Sequence, residues 1–525
     1  MVRLKEYISY YLKPLVFSTL LFFLLLLTFQ YALVNEGIEI YGWEVLSDEN
    51  NIFEESSLPK KFYKVLRQPS TVIIRALVNH KAGYEENTTR YLYIPQIDTS
   101  YFVVKVDGKV IGNFGFSEDR SGHVWYQPFL FQIPEDFKTI EFEISGVYEI
   151  GIDFPVKIVN ASQRTKYAIL HFLTVILIPL SAGLIFTLSI ILYLLSKTAG
   201  EVKHKVYSSL AIASFLGGVW IFDLFPFPTL GNLHSFLILR KIFTASAYVG
   251  FAFLIKGIVN QYFDKVRFVD KLMIILNLLA ALSISLVPSN YHLKILTNNI
   301  ALLLFANAFY LVFVAIKTYS PTIFGFVLFF VLTIIHDGAA LFFSMNTKFL
   351  SHLGIIALFF GFSYIIVTEY RDMTVRITTT HLKSIMDPLT GAYNRGVLSE
   401  LILSTEDTIV YVDMDKFKMI NDNYGHEVGD EILKLLVRTI KNNVRSSDCI
   451  VRMGGDEFLI VLKNCPVSKA EEIFSKVQSE FTNSHELRPV FSFDASQYRG
   501  NLDETVRNVD KLMYKMKTQK SDDKI

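Results

Sequence analysis

The sequence predicts a multidomain membrane protein: an extracytoplasmic all-β sandwich, eight transmembrane α-helices and a cytoplasmic α/β domain. Three observations carry this. Eight apolar blocks punctuate the chain, residues 35–166 alternate apolar and polar side chains, and the last part sets acidic residues at the ends of short β-branched runs. The 525 residues are 51% hydrophobic and 19% charged, with 45 Phe. Soluble domains usually carry about 25% charged residues. The balance excludes a disordered chain and argues against an entirely water-soluble one. A net charge of +1 gives no ground for a nucleic-acid partner. Two cysteines, Cys449 and Cys465, exclude a disulfide framework and a multi-cysteine zinc site.

The first block, Pro14 to Val34, has no charge over about 20 residues, enough to cross a bilayer as a helix. Arg3, Lys5 and Lys13 precede it, as in a signal peptide. Its length and the lack of a small-x-small exit favour an uncleaved anchor. Seven further blocks fall at about 168–195, 206–225, 235–259, 271–288, 294–316, 322–345 and 350–369. The predicted organisation is a cytoplasmic N-terminus (1–13), an anchor (14–34), a β-sandwich sensor domain (35–166) and a seven-helix region (167–369). A helical connector (370–386) and a cytoplasmic α/β domain (387–525) follow.

Orientation follows from Lys and Arg near the span ends. Arg3, Lys5, Lys13, Lys197, Lys203, Lys205, Lys265, Arg267, Lys271, Lys317, Arg371 and Arg376 fall on one side. The opposite short loops hold only Lys294 and Lys348. Both termini are therefore expected in the cytoplasm, with 35–166 outside. Among charges within spans, Asp223, Arg240 and Lys241 lie near span ends and are expected to snorkel to the interface. His336 and Asp337 lie deeper, where a polar contact between helices is expected.

In the external segment, Phe102, Val104 and Val106 share one strand face, and Asp107-Gly108 is a hairpin turn signal. Ile140, Phe142 and Ile144 alternate with Glu141, Glu143 and Ser145, and residues 71–78 form another strand candidate. This pattern resembles the jelly-roll modules outside bacterial seven-helix receptors, some of which look carbohydrate-binding. An unknown external ligand is therefore expected, with a carbohydrate suggested by that resemblance. Trp43, Trp125 and Tyr126 could stack on a sugar, but core packing is the better expectation.

After the last span, Tyr370, Met373 and Ile377 recur at helical spacing, which predicts a helix ending near Asp387-Pro388. Such a helix could pair with its copy in a second chain. The run TIVYVDMDKF ends in acids. CIVRM and LIVLK flank a Gly-Gly turn, so a hairpin should lift Asp456 and Glu457 at its tip, beside Asp413. Hard oxygen ligands suit Mg²⁺, which commonly uses one or two carboxylates plus substrate phosphates. Gly454 and Gly455 leave room for a nucleotide against the backbone.

DPLTGAYNR (387–395), DMDKFKMINDNYGHEVGD (413–430) and RSSDCIVRMGGDEF (445–458) occur in that order. Together they resemble the GGDEF family of diguanylate cyclases, which condense two GTP into cyclic di-GMP. The resemblance covers about 387–520 and implies a nucleotidyl-cyclase, palm-like α/β fold. The whole arrangement resembles bacterial seven-helix receptors with diverse intracellular signalling modules, preceded by one extra anchor.

The resemblance implies that Asp413, the Met414 carbonyl and Asp456 bind Mg²⁺ or Mn²⁺, and that Asp456 or Glu457 helps deprotonate the 3′-hydroxyl. Asn421 and Asp430 would read guanine, His426 would touch ribose or base, and Lys418 would contact phosphate. Lys517 aligns with a late-helix lysine of the family, and Asp510 with the Asp before it. Arg445 and Asp448 stand where the family's product-inhibition motif lies; otherwise they are a surface ion pair at i, i+3.

Some residues depart from the pattern. Ser492-Phe493-Asp494 replaces a Ser-Ile-Gly strand motif, and LMYKMK replaces the usual tail helix. The expected function is a membrane-bound cyclase of the bacterial inner membrane, homodimeric in catalysis. Its partners are GTP, cyclic di-GMP as product and inhibitor, membrane lipid and an external signal. The alternative is a catalytically weak receptor that senses cyclic di-GMP through Arg445 and Asp448.

Overall fold

The structure, a computed structural model, describes residues 2–507 except 34–35, 79–88, 116–121, 125, 226, 229–232, 264, 318–319, 344, 346 and 503. Trp125, Asp510 and Lys517 lie outside the described residues. The chain divides into two units, Met1–Val367 and Thr368–Ile525.

The first unit opens with a helix and then becomes sheet-rich. One antiparallel sheet orders its strands as Ile38–Glu39, Lys157–Asn160, Arg90–Ile94 and Phe129–Ile133. A second orders them as Ser57–Leu58, Trp43–Asp48, Ser70–Leu77, Thr139–Gly146, Tyr101–Val106 and Lys109–Gly115. Period-two burial explains why these runs extend. Phe142 stands opposite Ile74 on one side and Val104 on the other, and all three are buried. With Leu92, Phe129 and Ile158 of the smaller sheet they form one apolar core.

Val106 pairs with Lys109 across Asp107 and Gly108, whose φ values are +47° and +78°. The Asp107 carboxylate accepts from the N–H groups of Lys138 and Thr139 at 3.0 and 2.8 Å. Those bonds hold its pKa below the usual carboxylate range. Trp43 is fully buried and stacks on Phe142 with ring centroids 5.0 Å apart, and Tyr126 is 2% exposed. Both pack inside the protein and neither offers a face to a sugar.

Among the described residues, eight helices are long and apolar enough to cross a membrane: Tyr10–Leu33, Ala161–Thr198, Glu201–Leu224, Leu233–Tyr262, Phe268–Ser285, Asn290–Lys317, Pro321–Phe342 and Ser351–Ile385. Polar side chains join them. Asn277 and Asn307 exchange amide hydrogen bonds of 2.8 and 2.9 Å between helices. Ser18 donates to the Gly325 carbonyl at 2.8 Å.

Two findings modify the sequence expectations. Arg240 does not snorkel: it is 6% exposed, its Nε donates to Asp223 at 3.4 Å, and its guanidinium lies 4.1 Å from the centre of the Tyr148 ring. Sequence spacing could not show that Tyr148, from the sheet-rich part, would cover it. Asp337 does contact another helix, through backbone N–H groups together with the Ser351 hydroxyl. It accepts from Leu350 N–H at 2.8 Å and Ser351 N–H at 2.8 Å, beside His336 Nδ1 at 2.8 Å. It therefore serves the start of the last helix.

The sheet-rich part seats on the helices through two lysines. Lys294 reaches Glu149 at 2.8 Å. Lys348, 1% exposed, donates to the carbonyls of Pro95 at 3.1 Å and Tyr126 at 2.8 Å.

Among the described residues, the second unit holds five strands, β1 (Tyr393–Asn394), β2 (Thr408–Met414), β3 (Cys449–Gly454), β4 (Glu457–Leu462) and β5 (Phe491–Gln497). Its helices are α1 (Phe417–Tyr424), α2 (His426–Asn443) and α3 (Val467–Asn483). The sheet order is β1-β3-β4-β2-β5, antiparallel except for the parallel pair β1–β3. Both faces of β2 are covered, which is why TIVYVDM reads as a continuous apolar run. Val410, Val412 and Met414 pack with Ile432 and Leu436 of α2 and Phe474 and Phe481 of α3. Ile409 and Tyr411 pack on the other face with Val451, Leu459 and Ile385.

Candidate functional site

The acidic residues meet because β2 and β4 end together. Asp413, at the end of β2, is the register partner of Glu457, the first residue of β4. The Met414 N–H donates to the Asp456 carbonyl at 3.4 Å. Asp413, Met414, Asp456 and Glu457 thus occupy adjoining backbone positions at one end of the sheet's central strands. Asp413, Asp456 and Glu457 are half-buried, while Met414 is buried in the core and offers only its backbone.

The β3–β4 turn has the geometry a hairpin tip requires. Gly455 has φ +53°, in the left-handed region that glycine occupies without steric cost. A Cβ on Gly454 or Gly455 would meet nothing within 4 Å, so open space lies above the turn. Arg452 pins this turn from below: its Nε and Nη2 donate to the Gly455 carbonyl at 2.9 and 2.7 Å. Its Nη1 reaches the Asp387 carboxylate at 3.1 and 3.2 Å. Asp387 also accepts from the Thr390 N–H at 2.8 Å and hydroxyl at 2.6 Å. Burial raises the Asp387 carboxyl pKa, but Thr390 and Arg452 outweigh it and hold the group below the ordinary carboxylate range. DPLTG and the GGDEF turn are thereby tied into one hydrogen-bonded unit. Arg452 carries no role that the sequence alone reveals; its position three residues before Gly455 is the available signal.

A second wall comes from α1 and α2, joined through Gly425 at φ +85°. Asn421 on α1 and Asp430 on α2 are half-buried, and Gly429, next to Asp430, is buried. A Cβ on Gly429 would lie 2.0 Å from the Asn421 Oδ1 and 3.2 Å from the Phe417 ring. Glycine is what admits the Asn421 amide to this spot. His426, the first residue of α2, and Lys418, in the first turn of α1, are exposed.

Arg445 and Asp448 form a turn rather than the i, i+3 ion pair. The Asp448 carboxylate accepts from the Arg445 backbone N–H at 2.7 Å and from Lys463 N–H at 2.9 Å. The Arg445 side chain is exposed. Ser492 donates to Asp415 at 2.8 Å, while Asp494 is half-buried and opposite Tyr411. Burial pushes the Asp494 carboxyl up, with Glu471 adding to the effect.

The donor set suits a hard cation: two carboxylate-bearing residues and one backbone carbonyl. Among the described residues no cluster of three or more His, Cys, Asp and Glu makes an all-protein cage. Mg²⁺ commonly takes only one or two carboxylates and completes its shell with phosphates and water.

The family model described as "Diguanylate cyclase, GGDEF domain" matches residues 384–523. Residues 384–523 are a GGDEF domain. The chain is 36% identical over 151 residues to "Uncharacterized protein YhcK" of Bacillus subtilis, covering 25% of this chain and 42% of that protein. It is 35% identical over 154 residues to diguanylate cyclase DosC of Escherichia coli, covering 26% of this chain and 33% of DosC. The chain thus spans under half the length of these curated relatives. Among solved structures, the coiled coil and GGDEF domain of DgcB from Caulobacter crescentus, in complex with c-di-GMP, is 16% identical. It covers 30% of this chain and 92% of that one, with a TM-score of 0.28. Diguanylate cyclase SiaD from Pseudomonas aeruginosa, in complex with its activator SiaC, is 26% identical over 30% of this chain and 68% of that one, TM-score 0.26.

Proposed function

We propose that this chain is a membrane-bound signalling enzyme that condenses two GTP into cyclic di-GMP and two pyrophosphates. The observation that carries the reading is the meeting of Asp413 and Met414 with Asp456 and Glu457 inside a GGDEF domain. Each chain holds one GTP, so two chains face each other. The 3′-hydroxyl of one nucleotide attacks the α-phosphorus of the other, pyrophosphate leaves, and the hydroxyl proton passes to Asp456 or Glu457. Asn421 and Asp430 read the guanine edge, where an amide and a carboxylate match its donors and acceptors. His426 touches ribose or base, Lys418 and Lys517 contact phosphate, and Gly454 and Gly455 admit the nucleotide to the backbone. Asp413, the Met414 carbonyl and Asp456 would hold Mg²⁺ or Mn²⁺, which supplies charge neutralisation on the triphosphate when bound. Incubation of the chain with GTP and Mg²⁺ tests the chemistry: cyclic di-GMP forms on this reading, and its absence contradicts it.

On this reading the protein lies in the bacterial inner membrane, with 35–166 outside and both termini in the cytoplasm, and the helices long and apolar enough to cross a bilayer support it. The sheet-rich domain and seven-helix region receive a signal from outside and tune the cyclase. The Lys and Arg bias supports that orientation. Protease added to spheroplasts is expected to cut within 35–166 and spare 387–520. Cleavage confined to 387–520 would invert the topology.

Arg445 and Asp448 form the product-inhibition site. The exposed Arg445 side chain, on a turn that Asp448 holds through backbone, supports this role. Arg445→Ala is expected to leave initial velocity nearly unchanged and to weaken inhibition by cyclic di-GMP roughly ten- to hundredfold, the effect of losing a charge-assisted bond. Wild-type progress curves then level off early while the variant's run on, with product added at time zero as the control. Equal plateaus at equal product would reduce RSSD to a surface turn.

A further inference from the structure

A cavity of about 180 Å³ lies among the helices of the first unit, beneath the Tyr148–Glu149 stretch of the sheet-rich part. Its body is apolar, lined by residues such as Trp220, Phe251, Leu254 and Phe330. One end is polar, where Asp223, Arg240, Thr244, Lys294 and Glu149 converge. The hydrogen bonding at this end is lopsided. Glu149 is taken by Lys294 at 2.8 Å and by the Tyr63 hydroxyl at 2.8 Å. Asp223 faces Arg240 Nε, and Asp337 is taken by Leu350, Ser351 and His336. The acceptors therefore have partners. Two donors do not: Arg240 Nη1 and Thr244 Oγ1 are both buried and make no hydrogen bond. They stand four residues apart on the helix Leu233–Tyr262, hence on one face. Arg240 as a whole is 6% exposed, and leaving a buried guanidinium N–H without an acceptor is costly.

What the site lacks is an acceptor. We propose that this cavity is a binding site for a small carboxylate with a compact aromatic or aliphatic body. The carboxylate would accept from Arg240 Nη1 and Thr244 Oγ1, and the body would fill the apolar part. The volume is comparable to the roughly 150 Å³ apolar cavities that take up benzene. The guanidinium cannot swing away from its ligand, because Tyr148 covers one face and Asp223 holds Nε. Phe349, Ser351, Ile355 and Phe362, on or just before the helix Ser351–Ile385, also line the cavity. That helix is continuous into the segment ahead of the GGDEF domain, so an occupant bears on the element that leads to it. The ligand site is thus in the helix bundle under the sheet-rich domain, and the inference does not depend on the cyclase chemistry.

The test is calorimetric titration of the full chain in detergent with benzoate, phenylacetate and hexanoate, and with neutral 2-phenylethanol as control. At least one carboxylate is expected to bind saturably, and 2-phenylethanol at least about tenfold more weakly. Arg240→Gln is expected to weaken carboxylate binding roughly ten- to hundredfold. Because that variant also loses the Asp223 pair and could misfold, Gly217→Leu is the second probe. Gly217 lines the cavity, and a Cβ there meets nothing within 4 Å, so leucine fills the space without a backbone clash and abolishes binding. No saturable binding by any of the three acids overturns the proposal. So does binding that Gly217→Leu leaves intact, or equal affinity for the neutral alcohol.

Discussion

Asp456→Asn is expected to abolish cyclic di-GMP formation while leaving the fold intact. Asp456 sits where the β3–β4 tip meets the end of β2, its carbonyl already engaged by Met414 N–H. Asparagine keeps the side-chain shape and that backbone bond. On the proposed reading it removes one of the two carboxylates that would hold the cation and one of the two candidate proton acceptors. If charge neutralisation contributes several kcal/mol at the transition state, the rate falls by roughly a thousandfold or more. The proposed guanine contacts, Asn421 and Asp430, lie on α1 and α2, so GTP is expected still to bind through its base. Turnover and nucleotide binding measured on the same preparation separate the two effects. Undiminished product formation would remove Asp456 from the site.

Gly429→Ala is the second large effect, and its direction differs from what helix propensity alone suggests. Alanine within α2 favours the helix by about 1 kcal/mol over glycine. Yet its Cβ would lie 2.0 Å from the Asn421 Oδ1, so the amide must leave its place. If Asn421 reads guanine, GTP affinity falls roughly ten- to hundredfold while the domain melts no earlier than wild type by more than the local strain. Equilibrium binding of GTP with thermal unfolding of the same variant decides it. Unchanged GTP affinity would exclude Asn421 from base recognition.

Local periodicity made most of the architecture legible. Long apolar runs marked the eight helices, and period-two alternation marked Phe102–Val106 and Ile140–Ile144, because burial on one face imposes that spacing. The Asp107-Gly108 turn was legible because its positive φ values select those residue types. In the C-terminal unit, acids at the end of β2 and a Gly-Gly turn before β4 were enough to bring Asp413 and Asp456 side by side.

Pairings distant in sequence carried no such signal. Arg452 and Asp387 are 65 residues apart, and no spacing rule joins a strand residue to the loop after a helix. Arg240 was legible as a charge near a span end, but its burial depends on Tyr148 from another part of the fold. Lys294 and Lys348 entered the sequence reading only as loop charges. The structure instead buries Lys348 against Pro95 and Tyr126 and pairs Lys294 with Glu149, because the sheet-rich part lies over them. The roles of the site residues, as opposed to their positions, came from the motif resemblance; residue chemistry alone could not choose between Asp456 and Glu457 as proton acceptor.

The most direct test of the account is product analysis. Residues 370–525, fused to a dimerising coiled coil, are incubated with GTP and Mg²⁺, and the products are separated and weighed by mass spectrometry. The account predicts cyclic di-GMP with two pyrophosphates released per molecule, dependent on the divalent cation and on dimerisation. Recovery of GTP unchanged, with cyclic di-GMP nevertheless bound by the fragment, would contradict it and leave a receptor for the nucleotide in place of an enzyme.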